Sequence, residues 1–244
     1  MKEWHGHLGD PNTGTVRDTR GEILRRARRP GYLKDRAEYL CSLARSRKVL
    51  DCGMVGHTLD AANSPDWLHR KIRDSARECL GVDILPEEIE TLRNAGFNVR
   101  TLDVSRDALP ETFELIVACE IVEHIDNLGA AFSNWARMLE PGGRLVITTP
   151  NPWYINCILK NILVSSQLSE SVDHVAWHEP STLFELGSRY GLKLESYTGL
   201  FVTQTHTPKA KAFFAAASKL THAGFRYELF SKSLLYEFVR SETT

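Results

Sequence analysis

Four acids stand at matching places in this sequence: Asp51, Asp83, Asp103 and Glu120 each close a short apolar run. Any one could cap a following helix. Four in succession point instead to one edge where carboxylates meet a ligand. A carboxylate at a strand tip can accept both hydroxyls of a ribose, the role that suits Asp83. Asp51 lies within "KVLDCGMVGHT", residues 48–58, a strand running into a turn. Gly53 and Gly56 would let that turn pass close to a ligand with no Cβ in the way. A pyrophosphate site wants Gly-x-Gly-x-x-Gly opening directly into a helix N-terminus. Here the turn offers Gly-x-x-Gly, and a polar stretch from His57 to Pro65 delays the helix. The pattern suits a nucleoside without phosphates.

Such acids need a scaffold that brings strand ends together. Apolar runs at 48–53, 80–85, 97–104, 113–120 and 144–150 predict strands, with helices over 65–79, 86–96 and 127–143 between them. Pro86, the acids after it and Gly96 punctuate the second helix, and Pro-Gly-Gly at 141–143 ends the third. Near-continuous apolar strands alternating with helices imply a parallel sheet covered on both faces, with ligands at the carboxyl ends of its strands. Beyond Pro150 the pattern predicts helices at 151–163, 180–191 and 208–224 and strands at 192–202 and 234–240. The expected fold is α/β: a doubly wound, mostly parallel seven-stranded sheet with a helical N-terminal extension. In that extension residues 1–20 read as a polar arm, and Pro30–Gly31 splits a helical pattern over 21–47. Residues 1–46 are expected to form part of a substrate cover. Residues 47–244 form the main domain, with 152–190 as the acceptor-binding segment.

Composition bounds the function. The 244 residues are 42% hydrophobic and 25% charged, with formal net charge −1, as in an ordinary globular chain. Five cysteines at 41, 52, 79, 119 and 157 include no CxxC pair, so buried free thiols in a reducing compartment are expected. No apolar signal core or bilayer-length run is present, and the reading is a cytoplasmic, soluble protein. Arginines and lysines crowd residues 17–48; a solvated helical face explains them, and a basic lip for an anionic partner is the sharper alternative.

Several stretches in register resemble class I S-adenosylmethionine-dependent methyltransferases: "VLDCGMVG", "GVDI", "LDV", "FELIVACEIVEHIDN", "LEPGGRLVITTPNP" and "HVAWHEPSTLFELGSRYGLKLE". They look most like the branch with ubiquinone-biosynthesis-type O-methyltransferases and enzymes that tailor sugars and natural products. The resemblance spans about residues 48–195. It implies S-adenosylmethionine as cofactor. Asp51 and Gly53 would shape the pocket for the methionine end, with Gly56 in the same turn. Asp83 would bind the ribose and Ile84 flank the adenine. Asp103 would meet the adenine amino group beside Val104, and Glu120 and Ile121 would line the cofactor near its sulfonium. The first motif departs from Asp-x-Gly-x-Gly-x-Gly, because Val55 and His57 take two glycine positions and an insertion runs to Trp67.

Methyl transfer to a hydroxyl needs alignment, exclusion of water and a base, for which histidine is the natural choice. His124 falls just past the fourth strand, and His174 and His178 fall where this family closes over its acceptor. Each could equally pack or cap a turn. The four-residue spacing of His174 and His178 suggests a metal pair, but no third ligand stands nearby in sequence and Pro180 opposes a helix, so no metal is expected. Trp153, Tyr154 and Trp177 could stack on an acceptor or simply pack.

A nicotinamide oxidoreductase would need a Gly-x-Gly-x-x-Gly turn, which is absent. An RNA methyltransferase and a non-catalytic methyltransferase-like subunit stay as alternatives; "NPWY" at 151–154 follows the fifth strand, whereas the related RNA- and DNA-enzyme motif follows the fourth. The expected activity is methylation of a small-molecule hydroxyl, on a sugar-containing or natural-product acceptor that is anionic or glycosylated. Nucleic acid and a membrane span are not expected; a homodimer is.

Overall fold

The computed structural model describes residues 13–56, 58–163, 171–200 and 208–242. In chain order the elements are α1 (Gly14–Ala27), β1 (Arg28–Leu33), α2 (Arg36–Ala44), β2 (Lys48–Cys52), α3 (Leu68–Ser75), β3 (Glu78–Asp83), α4 (Pro86–Asn94) and β4 (Val99–Thr101). Then come β5 (Phe113–Cys119), α5 (Leu128–Met138), β6 (Leu139–Pro150), α6 (Ile155–Leu163), α7 (Pro180–Arg189), β7 (Leu192–Leu200), α8 (Pro208–His222) and β8 (Ser233–Arg240). The strands form a single mixed sheet in the order β1-β7-β8-β6-β5-β2-β3-β4. β8 runs antiparallel to β6 and β7, and the other pairs are parallel. The chain winds outward from β2 to one side and from β5 to the other. The crevice therefore opens at the carboxyl ends of these two central strands.

Alternation along each strand feeds two cores. Leu50, Cys52, Leu80, Val82 and Ile116 pack with Phe132 and Trp135 of α5 and Leu183 of α7. Val49, Cys79, Leu115, Val117 and Val146 pack on the opposite face with Leu40 of α2 and Ile72 of α3. By the two-residue period, Asp51, Gly81 and Asp83 belong to this second face, beneath α3. The five cysteines are all free thiols. No helix among the described residues is long and apolar enough to cross a membrane.

The sheet has eight strands, not the seven that the apolar runs predict. The added strand is β1, which pairs parallel with β7 at the sheet edge. Its sequence, "RRPGYL", carries the Pro30–Gly31 pair that reads as a helix break. An edge strand tolerates proline because one row of its amides pairs with nothing, and the register slips between Arg28 and Tyr32 where Gly31 adopts φ +98°. The N-terminal extension is thus helical only in part. α1 also starts earlier than the polar-arm reading allows, at Gly14, with Thr13 as its cap; residues 1–12 of that arm lie outside the described residues. Buried Glu237 of β8 ties the extension down. It accepts from the Tyr39 hydroxyl at 2.5 Å and pairs with Arg29 at 2.8 Å and Arg144 at 3.1 Å. The third predicted helix stops at Met138 rather than running to Gly143, because β6 already begins at Leu139 and absorbs Pro141–Gly143 as a kink.

Candidate active site

The turn after β2 uses its glycines where backbone geometry demands them. Gly53 and Gly56 have φ +70° and +75°, whereas Ser46 and Glu120 are the only described non-glycine residues with positive φ. Val55 therefore needs no glycine, and its side chain is buried with Met54, Trp67, Ile89, Leu92 and Val99. The other departure, at His57, lies outside the described residues. Gly53 is required for a second reason: a Cβ there would stand 2.1 Å from Ile121 Cγ2. The turn and the segment after β5 touch.

Asp83 is buried at the tip of β3, where Oδ2 accepts from the Val55 amide at 3.0 Å and Oδ1 from the Ile84 amide at 2.8 Å. Burial raises its pKa above the ordinary aspartate value, against the opposing pull of these amides. Ile84 beside it is an apolar side chain 63% exposed. Asp103 accepts from the Ser105 amide at 2.9 Å and pairs with Arg106 at 3.1 Å. Glu120 has φ +54°, a conformation that costs a non-glycine residue energy and concentrates at functional sites. Arg36, from α2, lies 3.6 Å from Glu120 Oε1.

These residues surround a cavity of about 1200 Å³. Asp51, Gly53, Gly56, Asp83, Ile84, Asp103, Val104, Glu120 and Ile121 all line it. The volume exceeds the roughly 300–1,000 Å³ of a single small-molecule site and leaves room for cofactor and acceptor together. Lys34 and Arg36 bring the N-terminal extension to its rim, which the charge pattern alone did not resolve.

At the other end of the cavity lies Glu123, only 2% exposed, accepting from the Thr149 hydroxyl at 3.0 Å. Burial, reinforced by the charge of Glu120, pushes its pKa up to about 8. Its backbone carbonyl accepts from the Val175 amide at 2.9 Å and so tethers the segment carrying the later histidines. His174 packs edge-on against His124 with ring centroids 4.8 Å apart, and Asp173 Oδ2 lies 3.2 Å from His124 Nδ1. Both histidines line the cavity. His178 does not; its Nε2 lies 3.2 Å from the Val122 carbonyl, and burial lowers its pKa. Trp153, Tyr154 and Trp177 also stand outside the lining.

Ligand atoms of Glu123, His124 and His174 fall within 4.8 Å of one another. His178, the partner that the four-residue spacing suggests for His174, is not among them. The partners come from the segment after β5, some fifty residues upstream.

A family model described as a methyltransferase domain matches residues 24–197, well over half of the chain. The protein belongs to that family. It is a class I S-adenosylmethionine-dependent methyltransferase, and S-adenosylmethionine is its cofactor. The methyltransferase is 27% identical over 159 residues to the ubiquinone biosynthesis O-methyltransferase of Photobacterium profundum, covering 63% of this chain and 67% of the relative. It is 28% identical over 137 residues to the mitochondrial ubiquinone biosynthesis O-methyltransferase of Homo sapiens, covering 50% of this chain but 37% of that one. The fold matches N-methyltransferase NodS from Bradyrhizobium japonicum WM9 with TM-score 0.51 at 16% identity, over 96% of this chain and 100% of NodS. NodS has also been solved with S-adenosyl-L-homocysteine; that structure matches with TM-score 0.50 at 15% identity, over 98% and 97% of the two chains. An S-adenosylmethionine-dependent methyltransferase from Mesorhizobium loti matches with TM-score 0.55 at 18% identity, over 84% and 95%. Membership sets the nicotinamide reading aside.

Proposed function

We propose that the methyltransferase transfers the cofactor's methyl group to a hydroxyl of a small-molecule acceptor, sugar-containing or a natural product. The observation that carries this reading is the Glu123–His124–His174 cluster in a cavity large enough for two ligands. The similarity to O-methyltransferases of ubiquinone biosynthesis supports transfer to oxygen. Asp83 takes the ribose hydroxyls, Ile84 and Val104 flank the adenine, and Asp103 meets its amino group. Asp51, Gly53 and Gly56 hold the methionine end, and Glu120 and Ile121 border the sulfonium. When bound, the cofactor would supply an electrophilic methyl carbon for in-line attack by the acceptor oxygen, with neutral S-adenosylhomocysteine as the leaving group.

The acceptor proton passes to His124. Asp173 Oδ2, 3.2 Å from Nδ1, orients the ring. Burial and the neighbouring Glu120 charge favour the protonated form of Glu123 beside that base. Lys34 and Arg36 of the N-terminal extension and Asp173 and His174 of the later segment line one cavity, which supports their roles in covering the site and receiving the acceptor.

The clustering of three ligand atoms favours a second reading, in which Glu123, His124 and His174 hold a divalent cation that acidifies the acceptor hydroxyl. One experiment serves both. With an acceptor found by screening, His124→Ala lowers turnover about 10²–10⁴-fold while affinity for S-adenosylhomocysteine is kept. Unchanged turnover removes His124 from the reaction. A chelator leaves the wild-type rate intact if His124 is a simple base. It abolishes a rate that added Mg²⁺ or Zn²⁺ restores if a cation is required.

A further inference from the structure

The altered glycine turn is braced by the start of α3, which borders the same cavity. Trp67, the residue before this helix, donates its indole N–H to the Met54 carbonyl at 2.9 Å. His69, two residues on, is 1% exposed and places Nδ1 2.8 Å from Asp51 Oδ2. The two rings pack with centroids 5.0 Å apart. Asp51 is itself only 3% exposed, yet it lines the cavity from the end of β2.

The imidazole has its place because β3 carries Gly81 opposite Asp51. A Cβ on Gly81 would lie 2.7 Å from His69 Cε1 and 3.0 Å from Nε2. Glycine inside a strand sacrifices packing and conformational entropy, and it marks a close approach. Here the approaching group is a polar ring rather than a core side chain. An ionised carboxylate only accepts, so Nδ1 carries the proton of this bond and Oδ2 is committed to it.

We infer that His69 is a positioning residue for the cofactor: by engaging one oxygen of Asp51, it aims the other at the cofactor's methionine ammonium. The inference rests on the proposed placement of the methionine end at Asp51. Trp67 and His69 then do together what a glycine-rich turn and an immediate helix do in the family pattern. One holds the turn's carbonyl and the other its acid. A carboxylate held in one rotamer makes the stronger charge-assisted bond to an ammonium, because no freedom remains to be lost on binding. A pair that merely satisfies the core would stabilise the fold without favouring any part of the ligand.

Two probes separate these roles. S-adenosylhomocysteine carries the amino-acid end, and 5′-methylthioadenosine has the same nucleoside without it. His69→Ala is expected to weaken S-adenosylhomocysteine about 10- to 100-fold, the loss of one hydrogen bond to a charged group, with methylthioadenosine affinity unchanged. His69→Asn, whose amide nitrogen falls near the place of Nδ1, restores the preference. Gly81→Ala, which keeps His69 but crowds its ring, reproduces the selective loss and serves if His69→Ala does not fold. Equal losses for both probes, or none, overturn the inference. Failure of the wild-type chain to discriminate between the probes would instead overturn the placement of the methionine end.

Discussion

Asp83→Ala is expected to reduce affinity for S-adenosylhomocysteine by at least about 100-fold in calorimetric titration, from two losses that add. The first is the charged acceptor for the ribose hydroxyls, whose hydrogen bonds are each worth about 1.5–3 kcal/mol. The second is local: the Val55 and Ile84 amides both donate to this carboxylate, and truncation leaves them without it. The glycine turn and Ile84 would loosen together. Wild-type affinity in this variant would refute the ribose role.

Protonation gives a second handle on Asp83. Burial raises its carboxyl pKa in the folded chain. Between the ordinary value and the raised one, the native state holds a proton that the unfolded chain has released. The native state binds more protons there, so this group makes stability fall as pH rises through that window. Ribose recognition works in the opposite sense. Accepting two hydroxyls favours the ionised form, so nucleoside affinity weakens as pH falls toward the raised pKa. Asp83→Asn should flatten both dependences, seen in melts of the free protein and titrations with methylthioadenosine across mildly acidic pH.

Gly53→Ala is the other large expected effect, and its contrast with Gly56→Ala tests the reason. Both positions have positive φ, which costs an L-residue roughly 1–2 kcal/mol. At Gly56 a Cβ meets nothing within 4 Å, so that backbone cost is the whole cost and cofactor affinity falls modestly. At Gly53 the Cβ would sit 2.1 Å from Ile121 Cγ2, and either the turn or the end of β5 must move. Both border the same cavity. Binding should become undetectable at high micromolar ligand while the far-ultraviolet circular dichroism stays native. Equal effects at the two glycines would show that backbone strain, not the contact between turn and β5, governs the site.

Much of this site is local in sequence. Asp51, Asp83, Asp103 and Glu120 each end an apolar run, and parallel strands must deliver such ends to one edge. All of them reach the cavity, as do His124 and His174. β1 was hidden because Pro30–Gly31 disrupts the periodicity that marks a strand, and its place at an edge depends on β7, far along the chain. Helix ends slipped where β6 absorbed the Pro-Gly-Gly that reads as a stop.

The motifs by themselves carried the family resemblance and, through it, the cofactor, while residue type and short-range period marked the strand ends where the acids stand. Tertiary structure alone decided how the departures are accommodated. Val55 replaces a glycine because its φ is ordinary and its side chain has a hydrophobic cluster to enter. His69 reaches Asp51 because Gly81, on a neighbouring strand, lacks a Cβ. Glu123 and His124 meet His174 but not His178, because a backbone hydrogen bond to the Glu123 carbonyl sets how the later segment docks. None of these follows from spacing along the chain; each depends on which atoms the fold brings within a few ångströms.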